Sequence, residues 1–451
     1  MLAVLDFDPV LRAACAIGTI SPLLPLGKHC GSVAFALYEG KARHHPIRRG
    51  PPSDYSACTN STLSVPLLLE ALGREWRIDT FGLAVFSACA FSLMNCTTRI
   101  PCLDGLRGLA ALAVMLFHFN IFFLPQARLT EIAPFVSRGY LAVDLFFLLS
   151  GFVMAHVYGR LLSSNWRVHA LQFARARFAR LYPLFVVTTL AMSIIFTLSH
   201  MPLIFVSFSG RTLALQPFLL QEWASGLSWD YPSWSISTEA EAYVSFVFCS
   251  GFLLAGRYPR LIATGCIAVL AALSAQRGGS LNTFVGISAL LRTLAGFSLG
   301  VLLYRAHLAD LRFPRWVTAI LSVVFAGLAM VTRLDLFMVA AFGCLIYYSV
   351  SNTDRVGKLL DSAPLVALGN WSYSIYLWHA PGHYAIAAAF AAIGYPVAQL
   401  GLASSRFLLL MTALAVIALS AFSYRYFEKP SRRFLLNCRF FSPASIIAMG
   451  R

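Results

Sequence analysis

The sequence predicts an all-helical polytopic membrane protein with about ten transmembrane helices. Of its 451 residues, 58% are hydrophobic and only 12% are charged, and the mean hydropathy is +0.71. About a quarter of a soluble domain is usually charged. The apolar runs are about twenty residues long, which is the length of a helix that crosses a bilayer. Strand-like alternation is absent, and a backbone in lipid must satisfy its own hydrogen bonds, so the predicted spans are helices.

Ten apolar segments that are candidate spans follow one another in the sequence. They are residues 104–124, 139–158, 181–200, 236–255, 260–276, 284–304, 316–332, 335–351, 369–392 and 404–424. Arg and Lys concentrate in alternate loops, and residues 159–180 carry five Arg and no acidic residue. Positive charge accumulates in cytoplasmic loops. The pattern therefore predicts that both ends of the ten-span unit are cytoplasmic.

The formal charge of +16 fits this topology without a nucleic-acid partner. The 35 basic residues outnumber the 19 acidic ones, and we assign the excess to the cytoplasmic loops. The ten Cys are scattered and form no CxxC pair, so neither a zinc site nor a disulfide framework is indicated. The His and acidic residues also lack a closed ligand set, and no metal site is predicted.

The first part of the chain differs in composition from the rest. Residues 1–93 contain GKHCGS and KARHHPIRRGPP, where Pro, Gly and charge interrupt any long apolar run. One interpretation places the natural start at Met94. Others treat residues 81–96 as a signal-like segment, a membrane-surface helix or an extra span. We expect a membrane domain over 94–434, preceded by this extension and followed by a short cytoplasmic tail, 435–451.

Three ionisable residues are predicted to lie in the outer half of the membrane. At 1.5 Å per residue, His118 lies about 20 Å into a hydrocarbon core of about 30 Å. Asp144 falls at nearly the same height in the second span, and Glu239 lies near the outer end of the fourth. A histidine with a carboxylate can deprotonate a hydroxyl. The same three groups fit a proton-coupled transporter, or a hydrogen-bonded tie between helices.

A second group, of arginines, is predicted near the cytoplasmic face. Arg107 and His118 are eleven residues apart, so they share one helix face at a separation of about 16 Å. Arg177 and Arg180 are neighbours on another helix face. Clustered guanidinium groups suit phosphate, although such arginines also extend to lipid head groups. A phosphate site and a distant base together suit a long ligand such as coenzyme A.

The motifs resemble those of the acyltransferase 3 family of bacterial membrane O-acyltransferases over residues 100–434. DGLRGLAALAVMLFH carries Arg107 and His118 in an Arg-x10-His pattern, and RFARLYP carries the paired arginines. The other matching stretches are GYLAVDLFFLLSGFVMA with Asp144, WSISTEAEAY with Trp234, Ser235 and Glu239, RTLAGFSLGVLLY with Arg292, LGNWSYSIYLWHAP with Ser372, Tyr376 and His379, and YRYFEKPSRR with Glu428. Ala242 departs from the pattern, because an aromatic residue is common there.

The resemblance implies an enzyme of the bacterial inner membrane. It would move an acyl group, usually acetyl, from cytoplasmic acyl-CoA to a hydroxyl of a carbohydrate-containing acceptor. Acyl-CoA, typically acetyl-CoA, would be a donor substrate, with no permanently bound cofactor. Lipopolysaccharide, exopolysaccharide, a lipo-oligosaccharide signal, peptidoglycan and a macrolide all remain open as acceptors.

The resemblance also implies roles for individual residues. His118 would be the base or a transient acyl carrier, with Asp144 as its partner and Glu239 serving the acceptor or the catalytic geometry. The CoA phosphates would be held by Arg107, Arg177 and Arg180. Arg292 is costly in mid-span and should have a partner, either the CoA arm or a carboxylate such as Glu239.

A third group of residues is assigned to the acceptor: Trp234, Ser235, Tyr243 and His379. A Trp or Tyr near the outer cavity could stack on a sugar face. For His379, a core histidine bonded to a neighbouring helix is an equally good interpretation.

Overall fold

The computed structural model describes residues 99–199, 210–223, 228–309, 314–351 and 354–438. Within these ranges the chain is helical and contains no β-strand, which confirms the predicted all-helical class. The extension 1–93, the proposed start at Met94 and the apolar segment 81–96 lie outside the described residues. So does the tail beyond residue 438.

In the described residues of the first half of the membrane domain there are five α-helices. They are α1 (Pro101–His118), α2 (Leu129–Ile132), α3 (Ala142–Ser199), α4 (Gly210–Leu215) and α5 (Trp234–Ala255). A π-helical turn, Phe119–Phe123, continues α1, and short 3-10 turns occupy Pro125–Ala127, Pro134–Leu141, Gln216–Phe218, Gln221–Trp223 and Tyr231–Ser233.

The second half contains eight more helices. They are α6 (Pro259–Ala275), α7 (Gly286–Leu308), α8 (Arg315–Thr332), α9 (Asp335–Ser351), α10 (Arg355–Leu360), α11 (Ala363–Ala392), α12 (Leu402–Ser423) and α13 (Lys429–Asn437). A 3-10 turn precedes α12 at Val397–Gln399, and a π-helical turn, Tyr424–Glu428, joins α12 to α13.

Five helical stretches of the described chain are long and apolar enough to cross a membrane. They are Pro101–Phe123, Pro134–Ser199, Gly286–Leu308, Arg315–Thr332 and Leu402–Asn437, and two shorter apolar helices are Pro259–Ala275 and Asp335–Ser351. Helix α3 contains both the second and the third predicted segments, and its backbone is extended at Asn165, where the helix breaks. All ten predicted segments fall largely in helical structure where the chain is described, apart from a few residues at the ends of three of them, so the multi-pass helical character is confirmed.

Helices α1 and α11 pack with their backbones in contact. A Cβ atom on Gly369 would lie 2.0 Å from the Asp104 carbonyl oxygen, and one on Gly108 would lie 2.7 Å from the Gly369 nitrogen. Small residues permit this approach between membrane helices. Because Asp104 meets Gly369 near one end and His118 meets His379 further along, the two helices run in the same direction. Their packing brings the two histidines together.

Polar side chains fasten the other helices to one another. The Thr293 hydroxyl on α7 donates to the Thr238 hydroxyl on α5 at 2.8 Å. Asp335 at the start of α9 is fully buried, and its carboxylate accepts hydrogen bonds from Arg138 and Tyr140 at 2.7 and 2.6 Å. Buried polar groups require such partners, so these contacts define how the helices are oriented.

Candidate active site

A cavity of about 410 Å³ lies between α1, α3, α5 and α11. Cavities of this size hold small ligands and cofactors in other proteins. It is lined by Arg99, Arg107, Val143, Phe146, Phe147, Ser150, Val153, Met154, Val157, Tyr158, Arg177, Arg180, Leu181, Ser235, Ile236, Glu239, Tyr243, Ser372, Tyr373, Tyr376 and Arg432. It therefore combines an apolar wall with a concentration of positive charge.

Five arginines of the lining form what we call the arginine cluster: Arg99, Arg107, Arg177, Arg180 and Arg432. The structure brings together Arg107, Arg177 and Arg180, which were predicted to share a phosphate site. Arg99 and Arg432 were missed as site residues. Arg99 lies just before the first span and Arg432 in the basic stretch after the last one, where a functional arginine looks the same in sequence as one that meets lipid head groups.

Carboxylates neutralise part of the arginine cluster. Asp104 accepts hydrogen bonds from Arg99 and Arg107 at 2.7 and 3.0 Å. Arg180 forms an ion pair with Glu428 at 3.5 Å. Within the described residues no carboxylate forms an ion pair with Arg177, so part of the cluster's charge remains available for an anion.

Arg177 is held by aromatic rings instead of by a carboxylate. Its guanidinium lies 5.2 Å from the centre of the Tyr158 ring and 5.9 Å from that of Tyr243. It also donates a hydrogen bond to the Tyr158 hydroxyl at 3.3 Å. Its Nε is buried and has no hydrogen-bond partner in the described chain. Buried donors without a partner are rare in native proteins, and an anion in the cavity would supply the missing acceptor.

Glu239 lies on the cavity wall, as expected for a site residue. Its carboxylate accepts hydrogen bonds from the Ser150 hydroxyl at 2.7 Å and from the Tyr243 hydroxyl. Tyr243 also contacts Arg177 through its ring. These contacts connect Glu239 to the arginine cluster and fix its carboxylate on the wall.

His118 is paired with His379 at the end of α1. The His118 Nδ1 and the His379 Nε2 are 2.9 Å apart, and the two rings are stacked with 4° between their planes. The His379 Nδ1 lies 3.3 Å from the Ile375 carbonyl oxygen. A carbonyl only accepts, so this Nδ1 carries the hydrogen, and the Nε2 of a neutral His379 must accept from His118. The hydrogen bonds thus assign the His118 proton to Nδ1 and leave a lone pair on Nε2.

Aromatic residues surround this histidine pair. The Tyr231 ring meets His118 edge-on with 4.9 Å between ring centres, and Phe122 lies 5.6 Å away. Tyr231 belongs to a turn before α5, and no sequence pattern predicts its contact with α1. Next to it, burial raises the pKa of the Asp230 carboxyl to about 8. The π-helical turn after His118 is a local distortion that often marks functional sites.

Asp144 is paired with Arg292 and not with His118. Both oxygens of the buried carboxylate accept hydrogen bonds from Arg292, at 2.8 and 2.6 Å. The prediction that Asp144 orients His118 is therefore wrong in this structure. Arg292 does have the buried carboxylate partner that its mid-span position requires, but the partner is Asp144 and not Glu239. Arg292 does not line the cavity, so its predicted contact with the coenzyme is not supported.

The residues predicted to bind the acceptor are divided between the cavity and its surroundings. Ser235 and Tyr243 line the cavity, and the Ser235 hydroxyl is 2.7 Å from that of Tyr376. Trp234 packs under Arg292, whose guanidinium lies 5.7 Å from its ring. His379 is fully buried and bonded to His118, in agreement with the interpretation as a histidine bonded to a neighbouring helix.

Two further observations concern metal ligands and the position of Tyr376. In the part of the chain that the structure describes, no three His, Cys, Asp or Glu side chains are grouped as metal ligands. Tyr376 both lines the cavity and contacts the His379 ring, with 6.0 Å between ring centres. Tyr376 thus lies between the cavity and the histidine pair, and neither His118 nor His379 is among the residues that line this cavity.

Comparison with known proteins identifies the family. Residues 100–425 match a family model described as an acyltransferase domain. The chain belongs to the acyltransferase 3 family. The matched residues of the family model include α1, α3, α5 and α11, which form the cavity. Arg99 and Arg432 lie outside the matched range.

Named relatives of this acyltransferase 3 chain occur in several bacteria. It is 24% identical over 373 residues to O-acetyltransferase OatA of Staphylococcus aureus, covering 74% of this chain and 57% of OatA. It is 30% identical over 315 residues to acyltransferase MdmB of Streptomyces mycarofaciens, covering 62% of this chain and 78% of MdmB. A match of 44% over 98 residues links it to protein 2 in the picA locus of Rhizobium radiobacter. The chain thus spans little more than half the length of OatA, and no solved structure matches it.

Proposed function

We propose that this chain is an integral-membrane O-acyltransferase that moves an acetyl group from acetyl-CoA to a hydroxyl of a cell-surface carbohydrate or glycolipid. The observation that carries the proposal is a cavity that has five arginines in its lining and one lining residue, Tyr376, in contact with the ring of His379, the partner of His118. Family membership supports it, as do the names O-acetyltransferase and acyltransferase of two relatives.

The arginine cluster would bind the phosphates of the donor. The positive-inside rule predicts that the cluster lies at the cytoplasmic face, the side from which cytoplasmic acyl-CoA would enter. Guanidinium groups form short, charge-assisted bonds with phosphate, and the unpaired Nε of Arg177 offers one donor for such a bond. The apolar wall, which includes Val143, Phe146 and Val153, would then enclose the slender pantetheine arm. The thioester would arrive near Ser235 and Tyr376.

The chemistry would be alcoholysis of the thioester with His118 as the base. The Nε2 lone pair of His118 takes the proton of the acceptor hydroxyl as its oxygen attacks the thioester carbonyl carbon. The C–S bond then breaks, and the imidazolium returns the proton to the departing sulfur. The products are an ester and free CoA. His379 accepts the hydrogen bond from His118 Nδ1 and thereby holds the ring in the tautomer that the base needs.

No observation favours the transporter alternative. It requires His118, Asp144 and Glu239 to relay protons, but each of the three has a separate set of partners. His118 bonds to His379, Asp144 to Arg292, and Glu239 to Ser150 and Tyr243.

Transfer of label tests the proposed reaction. Purified protein in detergent is incubated with radiolabelled acetyl-CoA and a crude surface-glycan fraction. We expect the label to enter the glycan as an alkali-labile ester and free CoA to appear in equal amount. CoA bound without transfer to any surface fraction would contradict the acceptor class, and absence of acetyl-CoA binding would contradict the proposal as a whole.

The donor site has its own test in Arg177. Arg177→Gln removes one phosphate-binding guanidinium, so we expect the KM for acetyl-CoA to rise about tenfold, the scale of one charged hydrogen bond, with little change in kcat. Arg167→Gln is the matched control, because Arg167 is exposed on the same helix and does not line the cavity. An unchanged KM in Arg177→Gln would count against the phosphate role.

A further inference from the structure

A second cleft adjoins the cavity on the side of α13. It has a volume of about 290 Å³ and is lined by Arg180, Tyr424, Glu428, Lys429, Arg432, Arg433 and Leu436. Arg180 and Arg432 also line the main cavity. These two side chains therefore form a wall that the two spaces share.

The second cleft is strongly basic and only partly neutralised. Four of its seven lining residues are cationic, and its single carboxylate, Glu428, is already bonded to Arg180 at 3.5 Å and to Ser374 at 3.0 Å. Among the described residues no carboxylate forms an ion pair with Lys429, Arg432 or Arg433. The remaining positive charge therefore faces the cleft.

Arg432 offers the shared wall a buried donor that could bind an anion. Its Nε is buried without a hydrogen-bond partner in the described chain. Arg177 and Arg180 lie close enough to repel its charge. Like charges at short range are unfavourable unless an opposite charge lies between them. A bound anion at the shared wall would both remove this repulsion and accept from the unpaired donor.

The cleft also contains an aromatic surface. The Lys429 ammonium lies 4.7 Å from the centre of the Tyr424 ring. A cation can bind a phosphate group, and an aromatic ring next to it can stack against a flat base. The cleft thus has the groups that recognise a phosphorylated nucleoside.

We propose that the second cleft binds the adenosine 3′-phosphate end of coenzyme A, which rests on the proposed function. The donor's pantetheine arm would lie in the main cavity, its diphosphate at the wall formed by Arg180 and Arg432, and its nucleoside in the cleft. Lys429 and Arg433 would bind the 3′-phosphate, and Tyr424 would face the adenine. The order of the chemical groups along coenzyme A matches the order of the two spaces. The protein would therefore select coenzyme A over carriers that share only the pantetheine arm.

Comparison of two donors tests the inference. Initial rates of the full chain are measured with acetyl-CoA and with 3′-dephospho-acetyl-CoA. We expect the wild-type KM to be about tenfold or more higher for the dephospho donor, with kcat unchanged, because charge-assisted bonds to one phosphate are lost. Arg433→Gln should raise the KM for acetyl-CoA toward that value and leave the KM for the dephospho donor unchanged.

The controls separate this inference from the proposed function. Arg425→Gln removes an exposed arginine near α13 that lines neither space, and it should preserve the preference. Lys429→Gln replaces Arg433→Gln if the latter elutes as aggregate in gel filtration. Adenosine 3′,5′-bisphosphate should compete with acetyl-CoA more strongly than AMP in a binding assay, which requires no turnover.

Equal KM values for the two donors in the wild type would overturn the subsite while leaving the acyltransferase proposal intact. A loss of activity in Arg433→Gln that is equal for both donors would also overturn it, since it would indicate general damage. An Arg433→Gln variant that changes neither KM would also overturn the subsite, because it would indicate that Arg433 meets lipid phosphate instead. Absence of turnover and binding with acetyl-CoA would overturn the proposed function and the subsite together.

Discussion

Replacement of His379 separates the base from the residue that orients it. His379 contacts the proposed base through the 2.9 Å hydrogen bond from His118 Nδ1 and through the stacking of the two rings. A hydrogen bond of this kind contributes about 0.5–1.5 kcal/mol net, which corresponds to about a two- to twelvefold change in the population of the correct tautomer. Loss of a general base lowers rates by about 10²- to 10⁴-fold. We therefore expect His379→Ala to lower kcat by about tenfold and His118→Ala by at least a hundredfold.

The assay is release of free thiol from acetyl-CoA at saturating acceptor, measured for both single variants and the double variant. His379 acts through His118, so the double variant should be no slower than His118→Ala alone, and the donor KM should stay constant in His379→Ala. His379→Gln should recover part of the rate, because its side-chain amide oxygen accepts a hydrogen bond. A His379→Ala variant as slow as His118→Ala would refute this division of roles. So would independent, multiplicative losses in the double variant.

Three further predictions concern packing, the buried ion pair and pH. Gly369→Ala places a methyl group where only 2.0 Å is available, so it should separate α1 from α11 and lower kcat by tenfold or more. Asp144→Asn or Arg292→Gln leaves a buried charge unpaired and should destabilise the fold by about 3–5 kcal/mol, seen as a lower thermal midpoint. The Asp230 carboxyl stays protonated in the folded chain up to about pH 8 but ionises near pH 4 when unfolded. Stability should therefore fall by about 1.4 kcal/mol per pH unit between these values, and Asp230→Asn should remove this slope.

A specific experimental result would contradict each of these predictions. Gly265 has open space around it, so Gly265→Ala is the matched control, and equal activity of Gly369→Ala and this control would disprove tight packing. If Asp144→Asn folds normally but loses turnover, Asp144 acts in catalysis and not in the ion pair. A thermal midpoint whose pH dependence is the same in Asp230→Asn and the wild type would show that Asp230 is not the titrating group.

The sequence predicted the helices well because their signal is local. Apolar runs of spanning length are set by bilayer thickness and do not depend on how helices pack. Each predicted segment accordingly falls largely in helical structure where the chain is described. The sequence did not predict that two segments lie in one helix, α3, which is broken only at Asn165. The basic residues between the two segments are equally compatible with a loop or a helix.

The site was predicted only in part. The sequence position of a residue gives its depth in the membrane, but it does not give the neighbouring helix that its side chain faces. Arg107 and His118 share one helix, so periodicity related them correctly to one face. Asp144 has nearly the same predicted height as His118, but which neighbour it faces depends on the packing of α3 against α7. In that packing Asp144 contacts Arg292, and no pattern in the sequence predicts this contact.

Sequence analysis missed the pairing of His379 with His118 and the place of Arg432 in the arginine cluster, and both depend on contacts between distant segments. His379 reaches His118 through the glycine-mediated approach of α11 to α1, and Arg432 joins the arginine cluster only because α13 lies against α3. Both contacts span more than two hundred residues of sequence. A single sequence contains no direct signal for them.

The most direct test of the central claim is acetyl-CoA binding and thiol release by the purified wild type and by His118→Ala. Helix α1 carries Arg107 toward one end and His118 at the other, so binding and chemistry should separate. We predict that both proteins bind acetyl-CoA with similar Kd, and that only the wild type releases CoA at an appreciable rate when the glycan fraction is present. Equal release by the two proteins would contradict the role of His118 as base. Absence of acetyl-CoA binding by either protein would contradict the assignment of the cavity to the donor.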